Sequence, residues 1–187
     1  MQEEIYITDI GNSCGIVYHY TTFANALKII SKDCMMFHAS RFDSLNDPED
    51  SVYAIRLLDR LLAKAGMENY VDTYDANISS YLVSFCRDKD NPLMWRLYNS
   101  DIALHIDSDI IKRDCLGRTN KIHMDNVEYL AQEDAFRKAI DYMKPTANIF
   151  GGDPLREYQA KAYMSFIKHP DFKIENEWRI ACFDNYD

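Results

Sequence analysis

The chain lacks the short signatures that most directly announce a chemistry. Its 187 residues include six glycines and five prolines. None of the glycines falls in a Walker loop, a Gly-x-Gly-x-x-Gly turn or a Gly-x-Ser-x-Gly elbow. P-loop hydrolysis, a Rossmann dinucleotide site and an α/β-hydrolase nucleophile are therefore not expected. The five histidines (19, 38, 105, 123, 169) show neither H-x-x-x-H nor H-E-x-x-H spacing, so a zinc site is not expected. The five cysteines are odd in number, widely spaced and free of any C-x-x-C pair. That usage fits a reduced, cytoplasmic protein whose thiols mostly act as small core residues. No apolar run is long enough to cross a bilayer, and the opening Met1-Gln2-Glu3-Glu4 is acidic, unlike a secretory leader. Positive charge is also short: 21 basic against 30 acidic residues give −9. Broad attraction to nucleic acid or anionic membrane is thereby disfavoured. The densest basic run, Lys112, Arg113, Arg118 and Lys121, reads as a solvated face.

What the chain does have is aromatic and apolar material, with 13 tyrosines and 9 phenylalanines. The length suits one domain over 1–187, with a helical insertion at 48–77, and can bury a real core. Ile16–Tyr20 reads as a strand, followed by a helix capped at Thr21 or Thr22, with Phe23, Ala26, Leu27 and Ile30 at helical spacing. Met35–Ala39 reads as a second strand. Asp47-Pro48, Asn91-Pro92 and Asp153-Pro154 each combine an N-cap with proline at the first helical position. They open helices toward Gly66, over 93–98 and over 155–168. Strands are expected at 78–86, 102–106 and 121–130, a helical turn at 108–113 and a helix at 131–143. Strands interspersed with helices, without a βαβ rhythm, define an α+β chain with a mixed, mostly antiparallel sheet.

Asp43, Asp47, Glu49 and Asp50 crowd one loop, but capping accounts for Asp47 and Glu49. A Mg²⁺ site would need carboxylates from other elements. No metal is expected. Gly151-Gly152 fits an ordinary turn before a capped helix.

The stretch Lys173–Phe183 carries the sharpest pattern. At period two, Ile174, Trp178, Ile180 and Cys182 share one face, with Asn176 the exception, while Glu175, Glu177 and Arg179 share the other. Either the charged face is solvated and internally paired, or the strand aims a carboxylate into a cleft. His19, alone on its strand, is more often structural than functional. Trp95 and Tyr98 on the short helix form either a core stripe or an aromatic wall for a flat heterocycle.

Three segments in order, Tyr18-His19-Tyr20-Thr21 through Asn46-Asp47-Pro48-Glu49, then Val83–Cys86 with Met94-Trp95-Arg96-Leu97-Tyr98, then Glu175-Asn176-Glu177-Trp178-Arg179, resemble domain-of-unknown-function family 2971. This is a bacterial family without a settled activity. The similarity spans about residues 17 to 183. The turn after Tyr98 departs from the family pattern in lacking its glycine. The opening His19-Tyr20-Thr21, followed by Asn25-Ala26-Leu27-Lys28-Ile29-Ile30, is also similar to the start of ADP-ribosyltransferases, especially DNA-modifying toxins.

That second resemblance implies a split, ADP-ribosyltransferase-like sheet and NAD as substrate. Glu177 would be the catalytic carboxylate that stabilises an oxocarbenium ion. His19 would hold a ribose hydroxyl, and Tyr98 with Trp95 would stack on nicotinamide. Tyr20 and Thr21 would flank the cofactor, with Arg41 or Arg179 at the pyrophosphate. Glu175 stands as the alternative working carboxylate. The implied function is ADP-ribosyl transfer to a macromolecular acceptor, nucleic acid or protein, by a toxin or phage-defence effector. An antitoxin or partner protein would accompany it, and no membrane. The alternative is a non-catalytic nucleotide-sensing or protein-interaction module on the same scaffold. In either case His19 and Glu177 are expected to converge on one cleft, with Trp178 buried behind them.

Overall fold

A computed structural model describes residues 14–41, 53, 56–57, 80–116, 122–143 and 165–183. The chain divides into two compact units. The first comprises Met1–Ser40, Ser80–Val127 and Ile174–Phe183, and the second Arg41–Ser79, Glu128–Lys173 and Asp184–Asp187. Apart from Tyr53, Arg56 and Leu57, the expected insertion at 48–77 lies outside the described residues, as do the acidic loop and the Gly151-Gly152 turn.

The fold is α+β with a mostly antiparallel, open sheet. Its strands run in the order β4 (Ile102–Asp107), β1 (Ile16–Thr21), β3 (Ser80–Cys86), β8 (Glu177–Phe183), β5 (Ile122–Asn126). Every pairing along this path is antiparallel. A two-residue strand, β2 (Ser40–Arg41), pairs with β3 to the side. β1 pairs with β4 over its whole length but meets β3 at one register pair, Tyr18 with Cys86. β3 and β8 pair throughout, from Ser80–Phe183 to Cys86–Glu177. The sheet thus has two halves joined at a narrow seam.

Because directly paired residues project to the same side, the register sorts the side chains. One face carries Val17, Val83, Phe85, Leu104, Ile106, Met124, Trp178 and Ile180, and α1 (Phe23–Ile29) adds Ala26 and Ile29 to form the core. Trp178 is fully buried, with its ring centroid 5.7 Å from that of Phe85. Local chemistry places the helices. Thr22 Oγ1 accepts the Asn25 N–H at 3.3 Å to start α1. Asn91 Oδ1 accepts the Leu93 and Met94 N–H groups at 3.0 and 3.4 Å to start α2 (Pro92–Leu97). The turn expected at 108–113 is a longer helix, α3 (Ser108–Leu116).

In the second unit, β6 (Glu128–Tyr129) and β7 (Ile167–Lys168) pair in parallel beside α4 (Gln132–Met143) in sequence. Lys138 on α4 pairs with Glu128, and the Tyr53 hydroxyl donates to the Leu130 carbonyl at 3.2 Å.

Four sequence expectations are corrected. Met36–Ala39 do not form a strand, because Ser31 and Cys34 close a turn through backbone and hydroxyl bonds. What remains is a single bridge from Met35 back to Ile30. The run 121–130 breaks at Val127, whose N–H turns to the Glu177 carbonyl at 2.9 Å. Residues 167–168 are strand, not helix end, since the N–H groups of Glu128 and Leu130 bond Phe166 and Lys168 carbonyls. Ile174 lies in a 3₁₀ helix, Pro170–Glu175, and is exposed rather than on the core face of β8.

Candidate functional site

The face opposite the core carries Glu177 and Arg179 among both polar and apolar side chains. Its register rows within the first unit are Tyr18–Cys86–Glu177, then Ser84–Arg179–Asp125, then Leu82–Ala181–His123. The alternation read from the sequence of β8 therefore holds for Glu177 and Arg179. Yet these groups are not solvated: Glu177 is 4% exposed and Arg179 0%. Glu177 Oε2 accepts bonds from both Nε and Nη2 of Arg179 at 2.7 Å. These short charge-assisted bonds, within one strand and two residues apart, hold both heads in one orientation. The strand is internally charge-paired, and the pair is buried.

A clasp of two loops sets the start of β8. Asn176 has φ 43°, the left-handed conformation that asparagine tolerates better than most residues. Its carbonyl accepts the Arg87 N–H at 2.8 Å, and its side-chain amide donates to Asp88 Oδ1 at 2.8 Å. Asn91 donates to the Ile174 carbonyl at 2.7 Å from the other side. The residue that broke the alternation is therefore the turn that aims Glu177.

Beneath the clasp, Tyr20, Cys86 and Met94 form a small buried cluster against Tyr18, Trp95 and Ala103. The Tyr20 hydroxyl donates to the Asp88 carbonyl at 2.8 Å and accepts the Asn91 N–H at 2.9 Å. Burial raises its pKa above the ordinary tyrosine value, helped by the nearby Asp90 and Asp88 carboxylates and opposed by the Asn91 N–H. Cys86 Sγ accepts the Asp88 N–H at 3.3 Å and the Asn91 amide at 3.7 Å. Its pKa is also raised, chiefly by burial, with smaller contributions from the Asp88 and Glu177 charges, so the thiol is poorly poised as a nucleophile. Trp95 meets Tyr20 edge-on at 4.8 Å and donates from its indole to Asp90 Oδ1 at 2.8 Å.

His19 is not part of this arrangement. It projects from β1 on the core side, against the rings of Phe37 (5.2 Å) and Phe85 (5.7 Å). Burial lowers its pKa, partly offset by a hydrogen bond to the Ser84 backbone. Phe85 shares its row with Trp178, whereas Cys86 shares its row with Glu177. His19 and Glu177 therefore lie on opposite faces, which corrects the expectation that they share a cleft. The reason is parity: Tyr18, not His19, is in register with Cys86 and Glu177.

The other candidates separate as well. Tyr20 and Trp95 stand together beside Cys86, in the row of Glu177, while Tyr98 ends α2 as its C-cap and is 42% exposed. Thr21 is buried, and its carbonyl accepts the Asp101 N–H. Arg41 is exposed and belongs to the second unit. Glu175 is buried at the end of the 3₁₀ helix, outside β8. Cys86, Asp88, Asn91 and Asn176 had not been singled out as site residues. Their signals were the cap at Asn91 and the break at Asn176.

Among the described residues no cluster of His, Cys, Asp or Glu could hold a metal ion, and no helix is long and apolar enough to cross a membrane. None of the five cysteines forms a disulfide; Cys34 is exposed and Cys86 buried.

Residues 94–180 match the model of a family described as a protein of unknown function, DUF2971. The match takes in most of α2, all of β4, α3 and β5, and the Glu-x-Glu-Trp-Arg segment, and it leaves the His19 segment outside. No curated protein and no solved structure matches the chain.

Proposed function

We propose that this chain is a non-catalytic interaction module whose Glu177–Arg179 pair is structural. The observation that carries the reading is the buried double contact of Arg179 with one oxygen of Glu177. A carboxylate held this way stabilises its own strand. To meet a developing oxocarbenium charge it would have to give up both short bonds to Arg179, separating a buried charge-assisted pair at a cost of about 3–5 kcal/mol. The placement of His19 on the far face supports the same reading.

A second reading is NAD-consuming ADP-ribosyl transfer to a macromolecule on an ADP-ribosyltransferase-like fold, in a toxin or phage-defence role. The narrow seam between β1 and β3 favours it, since it divides the sheet into two halves next to Tyr20 and Trp95. That chemistry would have to proceed without His19. The melting temperature separates the two readings. A ligand that binds only the folded state raises it by mass action, whereas the module reading expects no rise with NAD. A saturable rise, abolished by Trp95→Ala, would turn the assignment toward the transferase.

A further inference from the structure

The seam between the two halves of the sheet is closed more by side chains than by backbone. β1 pairs with β4 over six residues and β3 with β8 over seven, but β1 and β3 share the single pair Tyr18–Cys86. On the face that bears Glu177, the Tyr20 hydroxyl reaches the loop after β3, donating to the Asp88 carbonyl and accepting the Asn91 N–H. On the core face the crossing group is His19. One step along from the Tyr18–Cys86 pair, it stands against Phe85 with the ring centroids 5.7 Å apart. Phe37 lies against both rings, 5.2 Å from each. A hydrogen bond joins His19 to the Ser84 backbone. The side chain of His19 thus ties β1 to β3 where the backbone ladder stops.

These surroundings suit the neutral ring. His19 meets two phenyl rings and a backbone bond, its register partner on β4 is Leu104, and no charged side chain of the described residues acts on it. Tyr18, Tyr20, Cys86 and His105, the titratable groups nearest to it in register, project to the other face, and His38 beside Phe37 is exposed. Burial holds the His19 pKa below the ordinary value, against the smaller opposing effect of the Ser84 bond. A charged ring would therefore be driven toward water, and two movements could supply it. Global unfolding breaks the β3–β8 ladder and exposes Trp178. Parting β1 from β3 breaks one ladder pair and the Tyr20 bonds, while β1 stays on β4. The second movement gives up far less, and such local openings precede the global one.

We infer that His19 is a pH-sensitive latch on this seam: protonation of its ring releases β1 from β3 and parts the two halves of the sheet, while β8 stays between β3 and β5. The sign follows from where each state takes up the proton. The open state does so near the ordinary histidine value of about 6.5, and the latched state only at lower pH. The seam is fully latched above the open-state value, and acidification loosens it until the pH passes the latched-state value. Across that window the open population grows by up to about tenfold per pH unit, the limit for a single proton. The latch depends on neither functional reading, because His19 and the Glu177–Arg179 pair lie on opposite faces.

Cys86 reports on the seam, since it is the β3 member of the single pair and is buried. The intact chain is treated with 4,4′-dithiodipyridine, which labels thiols at acid as well as neutral pH, and labelled Cys86 is followed by peptide mass mapping. Dividing its rate by that of a Cys86-spanning peptide at the same pH gives the opening constant. Between pH 7 and pH 5 this constant should rise at least about threefold. It should exceed the constant from hydrogen exchange of the β8 amides Trp178–Cys182 by at least about tenfold, and change little in about 1 M urea, as a local opening does. His19→Phe, which fits the Phe37 and Phe85 rings and cannot be charged, should abolish the rise. His19→Gln, polar but neutral, should abolish it too, even where its opening constant is larger. His123→Gln should preserve it, although burial lowers the pKa of that histidine as well, because it lies on β5 beyond β8. A constant unchanged between the two pH values, a rise that survives both His19 substitutions, or one that disappears with His123→Gln overturns the proposal. So does a Cys86 constant equal to that of the β8 amides, which would mean global unfolding.

Discussion

Replacing Glu177 with glutamine should weaken the fold itself. Glu177 and Arg179 are almost wholly buried, and both contacts run to one carboxylate oxygen at 2.7 Å. At such a depth solvent screening gives little relief. Removing one partner of a buried pair costs about 3–5 kcal/mol, because the other buried charge loses its close counter-charge. Glutamine keeps a neutral acceptor in the same place, which restores about 1 kcal/mol. The net loss is about 2–4 kcal/mol. With a urea slope of about 2 kcal/mol per molar, the midpoint should fall by roughly 1–2 M. Tryptophan fluorescence is a suitable probe, since Trp178 follows Glu177 directly and is fully buried. A double-mutant cycle with Arg179→Met tests the cause. The joint Glu177→Leu, Arg179→Met variant should recover much of the loss, as apolar replacements of buried pairs commonly do. A transferase carboxylate makes the opposite forecast, a stable but inactive protein. A Glu177→Gln midpoint within about 0.2 M of wild type would refute the structural reading of the pair.

Asn176→Ala should destabilise the chain by about 2 kcal/mol, combining left-handed strain with loss of the bond to Asp88. Asn176→Gly should be milder by about 1 kcal/mol, and equal losses would show that the backbone conformation is unimportant. Stability should also fall as pH drops below the ordinary histidine value, because burial lowers the pKa of both His19 and His123 in the folded state. The unfolded chain then takes up protons that the folded chain does not, so the stabilisation is complete above the unfolded pKa of about 6.5 and is lost on acidification. His19→Phe, which suits the neighbouring Phe37 and Phe85 rings, should make urea midpoints between pH 7 and 5 less pH-dependent. An unchanged slope would show that His19 does not contribute.

Local chemistry was readable in the residues alone. The cap of α2 followed from Asn91-Pro92, and the two faces of β8 from the alternation of Trp178 and Ile180 with Glu177 and Arg179. Such features depend on side chains reaching their own backbone or on strand parity. Registry between strands depends on neither. Whether Tyr18 or His19 stands opposite Cys86 is a one-residue choice that sends His19 to one face of the sheet or the other. Only the assembled sheet made that choice, through the core packing of Val17, Phe85 and Trp178. The depth of Glu177 and Arg179 was hidden for the same reason. Alternation tells which residues share a face, but tertiary packing decides whether that face meets water, and here it turned an apparent solvated pair into a buried one. α1 shows the converse: Phe23, Ala26, Leu27 and Ile30 repeat at helical spacing, yet the fold buries Ala26 and Ile29 and leaves Phe23, Leu27 and Ile30 exposed.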